Sequence, residues 1–365
     1  MKSKIRVGLI FGGRSGEHEV SLASARSVMA VLDPQKYEVT PIGIAPDGRW
    51  LTQGDPLAQL TAGRAAPSNA DAAPAAGREL VPGATGAAFP RLDVIFPILH
   101  GPHGEDGTVQ GLLELAGVAY VGCGVLASSL GMDKIVSKQL FQAHGIPVVP
   151  YCAVKRRDWT ARPDAVVADI EAQLPYPLFV KPANLGSSIG ISKAVDRAGL
   201  RRSLAEAARY DRKLLVEAAV ARPREIECSV LGNDDPLASV PGEVVPCNEF
   251  YDYGAKYLDG RSELLIPAPL PAETAAQVRS LAVRAFLALD AAGMARVDFL
   301  LERDTGRLYL NEVNTIPGFT SISMYPKLWE ASGVSYAELV DRLIELALER
   351  HADKERSLTR YENAM

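Results

Sequence analysis

Ala295-Arg-Val-Asp-Phe-Leu-Leu-Glu-Arg-Asp-Thr-Gly-Arg-Leu-Tyr-Leu-Asn-Glu-Val-Asn-Thr-Ile-Pro-Gly-Phe-Thr-Ser-Ile-Ser323 is the stretch that decides how the chain is organised. Two apolar-rich runs flank a turn ending in Gly306, and a three-residue loop with glycine in the left-handed region is a common hairpin connection. That register sets Asp298 opposite Glu312. Strand side chains alternate, so Arg296, Asp298, Glu312 and Asn314 share one face, while Val297, Phe299, Leu301, Tyr309 and Val313 take the other. Carboxylates directly opposite one another, with Cβ atoms about 5 Å apart, repel. A divalent cation between them removes that cost. The donors are two carboxylates and an amide, all oxygen, which suits Mg²⁺ better than Zn²⁺ or copper. Mg²⁺ commonly shares its shell with substrate phosphates, so a nucleotide is implied. A solvated surface hairpin is the plainer account of a lone acidic pair, and the convergence of Arg296 and Asn314 weighs against it.

The rest of the composition narrows the class. A chain of 365 residues, 47% hydrophobic and 23% charged, is an ordinary globular protein with room for two or three domains. A net charge of -5 leaves no basic footprint for nucleic acid or an acidic membrane. The 4 cysteines form no Cys-x-x-Cys pair and no dense framework, which fits reduced thiols in a cytoplasmic protein. The apolar run Ile5 to Phe11 is broken by Arg6 and followed at once by charge, unlike a signal peptide, and no run reaches the ~18 residues of a membrane span.

Ile5 to Phe11 reads as a buried strand, and Gly12-Gly-Arg-Ser-Gly16 as a tight turn into a helix beginning near Glu17. The spacing is not the dinucleotide fingerprint, and Glu17 stands where a pyrophosphate would dock. An anion there attracts an ammonium, unless it merely complements the helix dipole. Tyr37 to Ala45 and Asp93 to Leu99 continue the sheet, while Thr52 to Pro90, rich in Ala, Gly and Pro, reads as a flexible excursion. After it, His100-Gly-Pro-His-Gly-Glu-Asp-Gly107 suggests a substrate rim without zinc spacing; His100 and Glu105 either touch substrate or hold the loop.

Lys134 opens a helix ending near His144-Gly145. Leu178 to Lys193 reads as two strands joined by a Gly/Ser loop that invites phosphates to its N–H groups, with Lys181 at the end of the first strand as a point charge. It is not a P-loop, since no Gly-Lys-Ser/Thr follows. Lys213 to Glu217 runs into a linker along which an adenine could lie, with Glu217 taking the exocyclic amine. Asn248 to Tyr257, with four aromatics and a glycine, has the character of a lid. Ala272 to Leu289 carries Val278, Leu281, Ala282, Ala285, Phe286 and Leu289 at helical spacing, and a second amphipathic helix passes through Leu339, Leu343 and Ile344.

Taken together, His100-Gly-x-x-Gly-Glu-Asp-Gly-Thr-Val-Gln-Gly111, Arg296-Val-Asp-Phe-Leu300 and Leu310-Asn-Glu-Val-Asn-Thr-Ile-Pro-Gly318 resemble the signatures of the D-alanine:D-alanine ligases of the ATP-grasp superfamily, over nearly the whole chain. The resemblance implies an α/β fold: an N-terminal Rossmann-like parallel sheet domain (1–132), a central ATP-grasp subdomain (133–221) and a C-terminal ATP-grasp subdomain with the metal site (222–365). It implies ATP, two Mg²⁺ ions (with Mn²⁺ as substitute), D-alanine as substrate and a homodimer. Carried over by position, Lys134, Lys181, Glu217, Val220 and Glu225 lie at the ATP, with Lys256 near the transferred phosphoryl. Asp298, Glu312 and Asn314 match the metal ligands. Glu17 matches the group that receives the first ammonium, linked through Ser187 to Tyr257 on the lid. Arg296 and the Gly318 backbone match the oxyanion-binding groups, and Ser323 matches the hydroxyl for the second carboxylate.

Two features depart from the family pattern: the long Thr52 to Pro90 insertion and an extra residue before Glu225. The lid offers Tyr251, Tyr253 and Tyr257 but no histidine, which favours an amine over D-lactate as second substrate. A D-alanine:D-lactate ligase and a nucleotide sensor without turnover are the alternatives. The latter would be expected to have eroded its lysine or metal positions, and these are intact.

Overall fold

The computed structural model describes residues 3–62, 91–246 and 263–358. The first sheet comprises β1 (Ile5–Gly12), β2 (Tyr37–Ile44), β3 (Trp50–Leu51), β4 (Val94–Ile98) and β5 (Ala119–Tyr120), in the order β3-β2-β1-β4-β5. β1 lies parallel between β2 and β4. Its Val7, Leu9 and Phe11 enter one core and its Ile10 another, on opposite faces of the sheet. Burial on both sides is why the strand reads as a continuous apolar run rather than an alternation.

The second sheet, β6 (Tyr151–Lys155), β7 (Leu178–Pro182), β8 (Ser192–Ala194) and β9 (Lys213–Ala218), is antiparallel in the order β6-β9-β7-β8. The helices Pro163–Glu171 and Arg197–Tyr210 cover it through Val167, Ile170, Leu200 and Leu204. The third sheet contains β10 (Pro223–Gly232), β11 (Leu237–Ala238), β12 (Gly242–Val245), β13 (Glu263–Leu265), β14 (Gly293–Glu302) and β15 (Leu308–Asn314). Its path is β13-β12-β10-β14-β15, with β11 beside β10. Helix Ala272–Ala288 packs the expected Val278, Leu281, Ala285 and Phe286 beneath it.

Packing joins segments that sequence order separates. Phe141 of helix Lys134–Ala143 is fully buried in the core of the third sheet, not the second. The last helix, Tyr336–Lys354, places Leu339, Val340, Leu343 and Ile344 in the same core as Val7, Leu9 and Phe11. Tyr37 donates to Asp341 at 2.8 Å, and the Arg350 guanidinium lies 4.4 Å over the Tyr120 ring. The chain thus closes on its own beginning. The apolar stripe on each helix was legible, but not the surface that covers it.

Two expectations are corrected. Thr52 to Pro90 is not structureless from its start: Asp55 caps a helix, Pro56–Thr61, by accepting from the Ala58 N–H at 3.0 Å, and Leu60 is buried in the main core. Its remainder, 63–90, lies outside the described residues. The metal-site hairpin also turns differently. Four residues, 303–306, close it, since the Glu302 N–H donates to the Arg307 carbonyl at 2.9 Å, and Leu301, Leu300 and Phe299 pair with Leu308, Tyr309 and Leu310. A β-bulge then inserts Asn311 and restores the Asp298–Glu312 pair. Leu310, rather than Tyr309, therefore joins the buried face with Phe299. The extra residue puts Asn311 and Glu312 together on the rim of the cleft.

Candidate active site

A cleft between the second and third sheets is lined by Lys134, Lys181, Glu217, Val220, Glu225, Asp298 and Glu312, all expected at a nucleotide or its metal. Register explains the acidic side. Glu227 pairs with Asp298 across β10 and β14, and Asp298 with Glu312 across β14 and β15, so three carboxylates form one row over three strands. Cations hold the row together. Arg296 Nε lies 2.7 Å from Asp298 Oδ1 and 2.9 Å from Glu227 Oε2, and its Nη2 lies 2.7 Å from Asp298 Oδ2. Lys134 Nζ reaches Glu312 at 3.1 Å, and Asn314 Nδ2 donates to Asp298 at 2.9 Å.

Among the described residues no group of three or more His, Cys, Asp or Glu side chains forms a ready metal cage. The donor chemistry of Asp298, Glu312 and Asn314 nevertheless fits a hard divalent cation, since every available donor is oxygen. The same oxygens are shared with Arg296 and Lys134.

On the opposite wall, Glu217 sits between two ammonium groups. Lys138 Nζ approaches Glu217 Oε1 and Lys181 Nζ approaches Oε2, each at 2.6 Å, with Glu217 and Lys138 almost fully buried. Burial alone would push the Glu217 carboxyl up, and the two lysines hold it below the usual carboxylate range. For Lys181 burial pulls downward and Glu217 more than offsets it, leaving the ammonium above its ordinary value. With both oxygens taken by lysines, Glu217 positions charge in this structure rather than presenting an open acceptor for an adenine amine. Lys181 Nζ also lies 3.3 Å from Asn311 Oδ1, so the bulge contributes to its aim.

Glu17 occupies the cap position of helix His18–Val31, yet its side chain makes no capping bond. Instead the carboxylate accepts a hydrogen bond from the Ser187 hydroxyl. Ser187 and Ser188 adopt φ of 52° and 59°, the left-handed region that non-glycine residues occupy at a cost of about 1–3 kcal/mol each. The Gly/Ser loop is thus held in an unusual shape that turns a hydroxyl onto Glu17. Gly101 makes room on the other side: a Cβ there would fall 2.6 Å from Glu17 Oε2.

His100 and Glu105 both make hydrogen bonds that hold the loop. His100 Nδ1 donates to the Ile316 carbonyl at 3.0 Å, and its Nε2 meets the Ser24 hydroxyl at 3.2 Å, which in turn accepts from the Phe319 N–H. Burial lowers its basicity, in keeping with a neutral ring that bonds through one donor and one acceptor. Glu105 accepts from the Gly101 and Ile316 N–H groups at 2.7 and 3.1 Å, while burial, and then the nearby Glu17 charge, push its carboxyl up to about 8. Together they fix Ile316 to Phe319, the loop that carries Gly318. Ser323 approaches the same loop: its Oγ accepts from the Thr320 N–H at 3.1 Å and would stand 3.0 Å from a Cβ at Gly318.

Lys256 and Tyr257, with the rest of the aromatic lid, lie outside the described residues. Sequence reasoning missed Lys138, Asn311 and Glu227 as site residues. Lys138 was within reach, because it lies one helical turn after Lys134 and so on the same face. Glu227 alternates with Glu225 along β10 and was within reach for the same kind of reason. Asn311 was not, because only the bulge turns it toward the cleft.

The chain matches two family descriptions, "D-ala D-ala ligase N-terminus" over residues 6–123 and "D-ala D-ala ligase C-terminus" over residues 140–345. It is 50% identical to a D-alanine--D-alanine ligase of Acetivibrio thermocellus, covering 97% of this chain and 98% of that protein. It is 51% identical to one of Geobacillus thermodenitrificans, covering 96% and 98%. Among solved structures, the D-alanine-D-alanine ligase from Coxiella burnetii superposes with a TM-score of 0.80 at 36% identity, over 97% of this chain and 96% of that one. The VanG D-Ala:D-Ser ligase from Enterococcus faecalis gives 0.82 at 34%, over 94% and 100%.

Proposed function

The chain belongs to the D-ala D-ala ligase family, with the ATP-grasp fold and ATP dependence that this entails, and we propose from that premise that it joins two D-alanines into D-alanyl-D-alanine, a peptidoglycan precursor. The observation that supports this reading best is the shared cleft: the Lys181–Glu217 pair and the Asp298–Glu312 pair face each other across a space that Ser187 also lines, and Ser187 ties it to Glu17.

In the first step a carboxylate oxygen of one D-alanine attacks the γ-phosphorus of ATP, ADP leaves, and an acyl phosphate forms. Glu17 receives that substrate's ammonium, and Ser187 fixes the carboxylate that does so. Lys181 and Lys134 meet the phosphates as point charges. Asp298, Glu312 and Asn314 would hold Mg²⁺, two ions in the full reading, which supplies neutralisation of phosphate charge when bound. In the second step the neutral amine of another D-alanine attacks the acyl carbon. The tetrahedral oxyanion is met by Arg296 and the Gly318 N–H, phosphate departs, and the amine loses its proton. Ser323 takes the second carboxylate.

A homodimer in the cytoplasm completes the reading. Among the described residues no helix is long and apolar enough to cross a membrane. The fold does not itself set the second substrate, since a D-Ala:D-Ser ligase superposes on this chain as well as a D-alanine-D-alanine ligase does. The deciding experiment supplies ATP, Mg²⁺, D-alanine, D-serine and D-lactate together at pH 7 and weighs the products. D-alanyl-D-alanine is expected to dominate. A mass spectrum dominated by the serine or lactate product would overturn the substrate assignment.

A further inference from the structure

Arg296 is held by two carboxylates at once, and only one of them belongs to the expected metal set. Its Nε donates to Asp298 Oδ1 at 2.7 Å and forms an ion pair with Glu227 Oε2 at 2.9 Å, while its Nη2 closes a fork on Asp298 Oδ2 at 2.7 Å. A fork of this kind engages both oxygens of Asp298, the same oxygens a divalent cation needs. Arginine and cation therefore compete for one carboxylate. Glu227 is 8% exposed and stands directly across the sheet from Asp298, so it can keep the guanidinium within the site when Asp298 turns to the cation.

We infer that Glu227 is a positioning residue that draws Arg296 off Asp298 and thereby opens the metal site, while keeping the arginine beside the reacting atoms. Glu227 thus acts through Arg296 and not as a metal ligand. The inference rests on the proposed ligase reading, in which Asp298 binds the cation and Arg296 meets the oxyanion. It follows that loss of the Glu227 charge leaves Arg296 more firmly on Asp298 and weakens cation binding, and that this weakening disappears once Arg296 is removed.

The test is a double-mutant cycle on Mn²⁺ affinity, read from water-proton relaxation enhancement, which separates protein-bound Mn²⁺ from the Mn²⁺–nucleotide complex in solution, with the full-length protein and non-hydrolysable AMP-PNP, so that no turnover enters. Glu227→Gln keeps the shape of the side chain. It is expected to weaken Mn²⁺ binding about tenfold in the wild-type background, within the range of coupling seen between residues in contact, and less than about twofold beside Arg296→Met. Glu227→Asp, which keeps the charge but withdraws it from the guanidinium, should show the same dependence on background and serves if the amide variant does not fold. Equal weakening in both backgrounds would mean that Glu227 acts on the cation directly, and no weakening in either would mean that it does not govern Arg296. Either result overturns the inference alone. A wild-type protein that binds no Mn²⁺ in the presence of AMP-PNP would overturn the ligase reading and the inference with it.

Discussion

The Ser187 hydroxyl donates to the Glu17 carboxylate although 170 residues separate them in the chain. Glu17 occupies the cap position of helix His18–Val31, which follows β1, and Ser187 lies in the loop between β7 and β8, so this bond joins the first domain to the second across the candidate substrate site. Ser187→Ala removes the donor, and a hydrogen bond to a charged group contributes about 1.5–3 kcal/mol. The expected outcome is a rise of about tenfold or more in the KM for the first D-alanine, with the KM for ATP nearly unchanged. Phosphate release measured against each substrate in turn checks it, and an effect confined to ATP would assign Ser187 to the phosphates instead.

Lys138 balances Glu217 from the side away from Lys181. Replacing it with Met leaves a buried carboxylate with a single cation, and breaking a buried pair in this way costs about 3–5 kcal/mol of stability. Lys138→Met should lower the thermal midpoint by several degrees. It should also weaken ATP binding, because Glu217 then holds Lys181 alone and draws it from the phosphates. Lys138→Arg should recover part of both. ATP affinity unchanged in a folded Lys138→Met protein would argue that Lys138 supports the fold only.

Glu312 is the carboxylate opposite Asp298 and the partner of Lys134. Glu312→Gln removes one anionic oxygen from the proposed metal set and should lower turnover more than tenfold, a loss of over ~1.4 kcal/mol in transition-state binding. The loss should be greatest at low Mg²⁺ and partly recovered at high Mg²⁺. Near-normal turnover at low Mg²⁺ would count against the assignment.

Glu105 gives the ligand-free protein a pH dependence of stability with a definite sign. Its carboxyl is pushed from an ordinary 4.5 to about 8 by burial and by Glu17. The folded chain keeps the proton throughout that interval while the unfolded chain releases it, so this group's contribution is full below about pH 4.5 and is lost as pH rises through about 8. Glu105→Gln should flatten that part of the profile. Thermal midpoints of the two proteins between pH 5 and pH 8 provide the comparison, and parallel profiles would show that Glu105 is ionised in the fold.

The hairpin shows how far sequence reasoning reached. Alternation along a strand depends on neighbouring residues alone, so the face shared by Arg296, Asp298, Glu312 and Asn314 could be read directly. The register was expected from a three-residue turn, whereas the protein combines a four-residue turn with a bulge at Asn311. Both routes pair Asp298 with Glu312, but only the bulge takes Tyr309 out of the core and brings Asn311 to Lys181. This bulge is settled by pairing with β14 on one side and a bridge from Val148 to Leu310 on the other, and nothing in the local residues announces it.

The sequence by itself determined the elements and the chemistry available to them. Helical and strand periodicities, the cap at Asp133 before Lys134 and the acidic hairpin all follow from interactions over a few residues. The family signatures lie within two short stretches for the same reason. Only the tertiary structure decided which surfaces and charges meet: the last helix against the first sheet, Lys138 and Lys181 on either side of Glu217, and Glu227 beside Arg296. The physical reason is that hydrophobic burial is non-directional and an ion pair needs only proximity. An apolar stripe or a lone lysine in the sequence states what must be covered or balanced, and the closed fold alone states by what.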